Sequence, residues 1–532
     1  MTQKRTTADS RGNQSGIAIR IVLITLDNHL SDALARAAER FKQQVPGLHL
    51  AFHAATDWDN DPGALQLCKQ DIAEGDIVVA TMLFMEPHIN AVLEDLMARR
   101  DRCDAMICCM SAGEVMKLTR MGRFSMGEKQ GGAMALLKRL RGKQSGKKSM
   151  GAQQLSVLKR LPRILKFIPG TAQDVRIYFL LLQYWLAGSE ENLVQMMQML
   201  VQRYASGPRA VLRTLPEAKP PIDYPETGLY HPDLPNRITG EPSSLPAVQS
   251  KKPRQAAVGL LVMRSYALAG NTQHYDAVIR ALEKRGLRVI PAFASGLDAR
   301  PAVDRFFVED GVAQVDAVVS LTGFSLVGGP AYNDNEAAQA LLAELDVPYL
   351  SVQALEFQSL ESWSASKLGL MPIEATMMVS IPELDGATGP MIFGGRSEQS
   401  GSHHNGMVPH AERIDRLADR VQKLVHLRRS QRAERKVAVV LFNFPPNAGS
   451  TGTAAHLSVF ASLHNTLQQL QSDGYHVELP ASVDALRDAV LKGNAEQLGM
   501  DANVVARISV DDYVQRETWL EEIESQWGPA PG

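Results

Sequence analysis

The stretch SLTGFSLVGGPAYNDNEAAQALLAELDVPYLSV, residues 320–352, decides the fold class of this chain. It begins with the end of an apolar strand, continues through a glycine-bearing loop and a helix, and finishes in a second apolar strand. Two strands joined by a helix of about 10–15 residues make a βαβ unit, whose strands are parallel. The stretch therefore predicts an α/β fold with a parallel sheet.

The same alternation extends in both directions. Residues 17–110 read IAIRIVLITL, DALARAAERFKQQ, LHLAFHA, ALQLCKQDIA, DIVVATMLF, HINAVLEDLMARR and DAMICCM. Residues 256–319 contain AAVGLLVMRS, TQHYDAVIRALEKRG and LRVIPAFA before the quoted stretch. A third block at 436–480 places KVAVVLFNF and YHVELP on either side of a helix. We therefore expect a multidomain α/β protein with doubly wound parallel-sheet domains.

Composition shifts divide the chain further, because a Pro-rich stretch resists regular structure and marks a boundary. The domains are joined by a helical and Pro-rich neck. The predicted parts are a disordered N-terminus at 1–16, an α/β head domain at 17–130, a basic and helical connector at 131–206, a Pro-rich neck or linker at 207–255, a second α/β domain at 256–400, and a charged helix with a third α/β domain at 401–532.

The overall composition is that of an ordinary globular protein. The net charge of −2 supplies no general attraction to nucleic acid. The apolar run IYFLLLQYWLAG at 177–188 is too short to cross a bilayer, and the polar N-terminus lacks the apolar core of a secretory signal. These features predict a cytoplasmic protein with no transmembrane segment.

The cysteines and a basic segment each allow two interpretations. Cys103, Cys108 and Cys109 could form a metal cluster, but AMICCM has the composition of a buried strand, which we favour. Residues 138–166 contain ten Lys or Arg and no acid. This segment could contact phosphate or an anionic membrane surface, although its interspersed leucines favour a solvated helical face.

No phosphate-binding loop is present in the sequence. Gly328 and Gly329 follow a strand, but no lysine and hydroxyl residue close that loop, and no G-x-G-x-x-G occurs. The chain therefore has no predicted nucleotide site, and ATP hydrolysis would fall to another chain. Two similar strand-to-helix stretches, LLVMRSYALAGNT and VVLFNFPPNAGST, resemble an internal repeat whose helix starts suit an anion.

Some polar residues are candidates for chemistry. His274 lies at a helix start after a strand, where it could act as a base or simply make a local hydrogen bond. Glu356, Glu361 and Glu374 lie in an irregular stretch, where they could act as acids or only face solvent. His403, His404 and His410 share a glycine-rich loop that could bind a transition metal, but no paired acid or cysteine supports this.

Four blocks closely resemble the large H subunit of magnesium chelatase and, more distantly, the large subunit of cobaltochelatase. They are residues 171–193, 264–279, 320–386 and 441–467. The resemblance implies insertion of Mg²⁺ into protoporphyrin IX in chlorophyll and bacteriochlorophyll biosynthesis. In that family the large subunit binds the porphyrin. An AAA+ ATPase subunit and an ATPase-like subunit with an integrin-type domain supply the ATP-driven work.

The resemblance also implies further partners and alternatives. A Mg-protoporphyrin methyltransferase is a possible downstream partner, and a peripheral position at photosynthetic membranes fits the family. Family members are more than twice as long, so we expect a fragment, a truncated gene product or a paralogue. The alternatives are a cobaltochelatase subunit that inserts Co²⁺ into a corrinoid ring and a non-catalytic tetrapyrrole-binding scaffold.

Metal insertion needs carboxylates that strip water from Mg²⁺ and accept two pyrrole protons, together with cations that anchor the propionates. Arg264, Asn271, Gly328 and Gly329 are the candidates for porphyrin-side or structural roles. His274 and Glu374 are the catalytic candidates in this chain. No metal ligand is assigned, because the resemblance places the Glu- and His-rich catalytic segments beyond these residues.

Overall fold

The computed structural model describes residues 16–26, 28–58, 61–126, 161–246, 255–329, 332–397, 406–442, 451–452, 454, 456–492 and 507–529. The chain divides into two compact units, Met1–Val425 and His426–Gly532. The first unit contains all the sheets found among the described residues.

The head domain is built on a six-stranded sheet of order β2-β1-β3-β4-β5-β6. Its strands are β1 Ile19–Thr25, β2 Leu48–Ala54, β3 Ile77–Thr81, β4 Ala105–Cys109, β5 Arg120–Met121 and β6 Phe124–Ser125. Its helices are α1 Ser31–Lys42, α2 Pro62–Glu74, α3 Glu86–Arg99 and α4 Gly113–Met116. The first four strands are parallel, which confirms the pattern predicted for residues 17–110.

Successive residues of a strand point to opposite faces of a sheet, and here both faces are covered. Ile21 and Leu23 belong to the core on one face, whereas Val22 and Ile24 belong to the core on the other. This double coverage explains why β3 and β4 are apolar throughout rather than alternating with polar residues.

The helical connector belongs to the head rather than standing apart from it. Helices α5 Thr171–Ala187 and α6 Glu190–Tyr204 contribute to the same core as one face of the first sheet. Met196, Met197 and Met199 are buried there, as residues that fill irregular gaps in a core. Most of the basic segment 138–166 lies outside the described residues.

The second sheet has the order β16-β13-β9-β10-β7-β8. The strands from here to the end of the first unit are β7 Thr227–Tyr230, β8 Ile238–Thr239, β9 Ala257–Leu261, β10 Arg288–Ala294, β11 Val308–Glu309, β12 Val312–Ala313, β13 Ala317–Ser320, β14 Gly328–Gly329, β15 Tyr332–Asn333, β16 Tyr349–Ser351, β17 Gln353–Ser359, β18 Ile392–Arg396 and β19 Met407–Pro409. The last three form a separate small sheet, and β11–β12 and β14–β15 form hairpins.

The helices of this region are α7 Arg264–Ala269, α8 Gln273–Lys284, α9 Arg300–Phe306, α10 Asn335–Leu345, α11 Leu360–Ala365, α12 Pro372–Glu374, α13 Ile381–Asp385 and α14 Ala411–Arg429. A π-helical segment, Ala375–Ser380, joins α12 to α13. Strands β16, β13, β9 and β10 are parallel, and the helix–strand order confirms the βαβ prediction for residues 256–352.

The two parallel sheets share one connectivity. In each, the first strand is flanked by the second and the third, with the fourth beyond the third. The direction in which successive strands are added to the sheet therefore changes beside β1 in the head and beside β9 in the second domain. Ligands of doubly wound proteins bind at the carboxyl ends of strands at such reversals.

Part of the predicted neck lies within the second sheet. Strand β7 pairs antiparallel with β10, and β8 pairs with β7, so residues 227–239 are not a linker. The short segment TGLY carries too few residues for periodicity to reveal a strand. Burial of Leu229 and Tyr230 against the sheet stabilises it there.

The head and second domains contact each other within the first unit. The Arg36 guanidinium donates to the carbonyl oxygen of Ala269 at 2.8 Å, and Arg396 forms an ion pair with Asp57. Arg36 also forms an ion pair with Glu190 of the connector. These contacts link three predicted parts of the chain into one compact body.

The described residues of the second unit are helical or irregular. Its helices are α15 Val459–Ser472, α16 Val483–Leu491, α17 Val510–Arg516 and α18 Leu520–Trp527. The strands predicted from KVAVVLFNF and YHVELP do not form within residues 436–442 and 475–480, so the third α/β domain is not observed in the described part. A strand needs a partner, and Val440 is 92% exposed with no neighbouring strand there. Within the described residues, no helix is both long and apolar enough to cross a bilayer.

Candidate functional site

Three of the candidate residues lie on one short segment after β9. Arg264 begins α7, Asn271 lies in the turn after it, and His274 lies in the first turn of α8. Gly270 has a φ of 73°, a left-handed conformation that glycine adopts without steric cost and that ends α7. The sequence predicted a loop before α8, but most of that segment is the helix α7.

His274 is a core residue. Its side chain is 1% exposed and lies between Tyr275, at 3.9 Å between ring centroids, and Phe393, at 5.7 Å. Its Nδ1 has no hydrogen-bond partner among the described residues. Burial lowers the pKa of His274 to about 3, because the charged form would lose its hydration. The imidazole is therefore neutral at physiological pH and enclosed in this conformation.

Asn271 holds two segments together. Its side-chain oxygen accepts a hydrogen bond from the backbone N–H of Met407 at 2.8 Å, and its own backbone N–H donates to the carbonyl of Tyr266. Tyr266 in turn donates to Glu356 at 2.7 Å. Asn271 thus fixes the turn between α7 and α8 against β19.

Gly328 and Gly329 form β14 and pair with β15. A Cβ on Gly329 would lie 2.1 Å from Cδ1 of Leu297, closer than any contact between real atoms. Glycine at this position therefore allows the hairpin to pack closely on the loop after β10. The observed role of Gly329 is steric.

Replacement of Gly329 by alanine is expected to lower the free energy of unfolding by about 1 kcal/mol, since the Leu297 side chain must move to make room. The double variant with Leu297→Ala should show less than the sum of the two single effects in chemical denaturation. Gly113→Ala is the control, because a Cβ there meets nothing within 4 Å. Additive losses in the double variant would show that the close approach is unimportant.

Glu374 is fully buried, and its carboxylate caps the N-terminus of α12. Its Oε2 accepts hydrogen bonds from the backbone N–H of Met371 at 3.1 Å and from the Gln358 amide. Its Oε1 has no partner among the described residues. Glu374 and His274 share no hydrogen-bond partner within the described residues, so the structure does not join the two catalytic candidates into one acid–base pair.

The other acids and histidines proposed from sequence are also engaged or undescribed. Glu361 accepts from Ser397 at 2.6 Å, and His410 packs edge-on against Trp363. His403 and His404 lie outside the described residues. Across the described ranges, no three His, Cys, Asp or Glu side chains are grouped so as to hold a metal.

The cysteines have the character of core residues. All four are buried with free thiols, and burial raises the pKa of each thiol. Cys108 and Cys109 lie on the central strand β4. A thiol held protonated in this way is a poor nucleophile and a poor metal ligand.

Arg264 lies beside a cavity. Its guanidinium donates to the carbonyl oxygens of Pro225 and Tyr224, at 3.0 and 3.2 Å, and burial lowers its pKa. The cavity, of about 330 Å³, is bounded by α5, by residues 220–226 and by the start of α7. It brings Arg163, Lys166 and Arg176 close to Arg264.

Arg176 was not predicted from the sequence, and Arg163 entered only as part of the basic segment 138–166, for which a solvated helical face was favoured. The only signal was Arg176 itself, a charge that interrupts the apolar helix DVRIYFLLL. The cavity could not be predicted, because its walls come from three segments distant in sequence. Four cations line the cavity together with two acids, Asp223 and Glu226, and with apolar residues that include Leu180 and Ile222. The excess of cations over acids suits an anion with an apolar body.

The fold and the cavity define a multidomain α/β protein with a cationic, partly apolar pocket beside its second sheet. The CobN/Magnesium Chelatase family model matches residues 182–532, and a domain of unknown function, DUF3479, matches residues 20–179. The chain belongs to the CobN/magnesium chelatase family.

Two relatives cover nearly the whole chain. The magnesium-chelatase H subunit of Cereibacter sphaeroides is 49% identical over 96% of this chain and 44% of its own length. The corresponding H subunit of Rhodobacter capsulatus is 46% identical over 96% of this chain and 43% of its own length. The chain thus spans less than half the length of these relatives.

A solved structure agrees with the fold. The catalytic subunit of cobaltochelatase from Mycobacterium tuberculosis superposes with a TM-score of 0.55 and 21% sequence identity. The superposition covers 97% of this chain and 36% of that chain. At this identity the likeness concerns the fold alone.

Proposed function

We propose that the chain serves as the porphyrin-binding subunit of a magnesium chelatase, a ligase that forms nitrogen–metal bonds. The reaction is the ATP-dependent insertion of Mg²⁺ into protoporphyrin IX in bacteriochlorophyll or chlorophyll biosynthesis. The observation that carries the proposal is the 49% identity to a magnesium-chelatase H subunit across 96% of the chain.

The division of labour follows from the chemistry. The sequence has no phosphate-binding loop, so ATP is hydrolysed by an AAA+ partner subunit acting with an integrin-domain, ATPase-like subunit. The complex works in the cytoplasm, in peripheral contact with photosynthetic membranes, and its product passes to a Mg-protoporphyrin methyltransferase.

The described residues suit porphyrin binding better than metal handling. Mg²⁺ releases its water reluctantly and prefers oxygen ligands, so its insertion calls for a group of accessible carboxylates. The buried Glu374 and the engaged Glu356 and Glu361 do not form such a group. Cations and apolar walls, which a porphyrin with two propionates requires, do occur around Arg264.

Titration of the purified chain with protoporphyrin IX is expected to quench tryptophan fluorescence saturably. The expected dissociation constant is about 1 μM, which corresponds to a binding free energy of roughly −8 kcal/mol. Addition of the two partner subunits with Mg²⁺ and ATP then tests metal insertion by the appearance of Mg-porphyrin fluorescence. Absence of saturable porphyrin binding would refute the proposal.

Two further results would support the alternative functions, a cobaltochelatase subunit or a tetrapyrrole-binding scaffold. Co²⁺ insertion into a corrinoid, without Mg²⁺ insertion into protoporphyrin, would establish the cobaltochelatase function instead. Porphyrin binding without any Mg-porphyrin formation would identify a tetrapyrrole-binding scaffold. The family includes both chelatases by name, and the 46–49% identity to the magnesium subunits favours magnesium.

A further inference from the structure

The cavity beside Arg264 adjoins a second one, with which it shares four lining residues. The second cavity, of about 700 Å³, is also lined by Lys166, Arg176, Leu180 and Pro220. The two adjoining cavities, which lie between helix α5 and residues 217–226, are here called the connector groove. A groove of this size can enclose a large part of a small organic molecule.

Three acidic residues line the two cavities, namely Glu217, Asp223 and Glu226, but three of the cations there are not paired with them. Arg163, Lys166 and Arg176 line it, and none of them forms an ion pair with the described residues. The Nε of Arg176 is inaccessible to solvent and has no hydrogen-bond partner in the described part of the chain. Seven Lys or Arg residues and three Asp or Glu residues line the two cavities, so the excess of positive charge favours an anionic group in the groove.

The remaining wall of the cavity beside Arg264 combines polar residues with apolar ones; the polar residues are Gln183, Asp223, Tyr224, Glu226 and Ser295. Leu180, Leu186 and Ile222 line the cavity beside Arg264, and Leu186 and Ile222 are 40% and 43% exposed. Pro220 and Pro221 stiffen the opposite wall. Covering exposed apolar side chains is favourable, which favours a flat apolar ligand over a free inorganic anion.

We propose that the connector groove binds the tetrapyrrole by its carboxylate-bearing edge. Arg176 and Lys166 pair with the propionates, and Leu180 and Ile222 pack against the ring. The guanidinium of Arg176 can donate two parallel hydrogen bonds to one carboxylate, which orients the ring as well as holding it. This inference rests on the proposed porphyrin-binding function and assigns that function a place in the chain.

The test combines protein variants that lack one cation with a ligand that lacks the carboxylates. Binding of deuteroporphyrin IX and of its dimethyl ester, which lacks the carboxylates, is measured by fluorescence titration of the full chain. Arg176→Gln should weaken deuteroporphyrin binding about tenfold and leave ester binding unchanged. Lys166→Gln should give a smaller loss of the same kind, since Lys166 is exposed and its charge is more screened.

Lys117→Gln is the matched control, because Lys117 is an exposed cation of the head domain that does not line the groove. Arg176→Lys retains the charge but not the two parallel hydrogen bonds, so it should recover part of the affinity. If Arg176→Gln does not fold, as judged by circular dichroism, the exposed Lys166→Gln and Arg163→Gln variants carry the same comparison.

The outcomes distinguish this inference from the function on which it rests. If the native chain and Arg176→Gln bind deuteroporphyrin equally strongly, the porphyrin does not bind in the connector groove. The proposed function would still stand. An equal loss for the acid and the ester would also overturn binding in the connector groove, since Arg176 would then act structurally. No porphyrin binding by the native chain would refute the proposed function itself.

Discussion

Replacement of Phe393 by alanine is expected to lower the free energy of unfolding of the first unit by about 3–5 kcal/mol. The ring is fully buried in the second domain's core, where it stacks on His274 and Tyr275 with interplanar angles of 20°. Its loss removes apolar contacts and leaves a cavity that the surrounding side chains cannot fill. Urea denaturation followed by circular dichroism should show a lower midpoint with an unchanged slope.

Phe167→Ala provides the matched control for the same chemical change. Phe167 is 84% exposed, so its truncation should change the stability by less than about 0.5 kcal/mol. Losses of equal size for the two variants would mean that Phe393 does not pack as the structure shows.

Replacement of His274 by phenylalanine is expected to make the protein more resistant to acid. The pKa of His274 is lowered from 6.5 to about 3 by burial, so the unfolded chain takes up a proton that the folded chain excludes. The stability contributed by the neutral imidazole is fully present above pH 6.5 and is lost as the pH falls toward 3. By about pH 5 the native chain should have lost about 2 kcal/mol from this source.

The measurement compares the free energy of unfolding at about pH 8 and about pH 5 for both proteins. Phenylalanine has a similar size and no proton to bind. The free energy of unfolding of the variant, relative to that of the native chain, should therefore rise by about 2 kcal/mol between about pH 8 and about pH 5. His49→Gln, at an exposed position, should keep the native pH dependence. An unchanged dependence in His274→Phe would show that His274 is protonated normally in the folded state.

The same variant tests the role of His274. A buried aromatic residue that serves only the core should be replaceable by phenylalanine without loss of porphyrin binding. A base or ligand should not be replaceable. The structure supports the first description, because the ring is enclosed by Tyr266, Tyr275 and Phe393.

Much of the first unit could be predicted from local pattern. Each strand of the parallel sheets has its own apolar run, and each intervening helix has its own apolar face, so both signals lie within a short window. The lack of a phosphate-binding loop motif can also be read within a short window, because that loop is contiguous in sequence, and the lack of a nucleotide site stays a prediction. The βαβ prediction for residues 320–352 was therefore correct for both strands and the helix, whereas the predicted loop contains the paired strands β14 and β15.

The predictions were wrong where a pattern needs a partner. Residues 227–230 are too few to indicate a strand, yet they join β10 across the second sheet. Residues 436–442 have the pattern of a strand and remain unpaired in the described part of the second unit. Hydrogen bonding between strands depends on residues far away in sequence, so neither outcome could be deduced from the segments themselves.

The sequence by itself determined the alternation of strands and helices, the lack of a nucleotide loop and the resemblance to the chelatase family. Only the tertiary structure decided that His274 and Glu374 are buried, and that Arg176 lines a groove together with residues 217–226. The physical reason is that secondary structure follows from neighbouring residues, whereas burial, charge pairing and cavities depend on which distant segments are brought into contact.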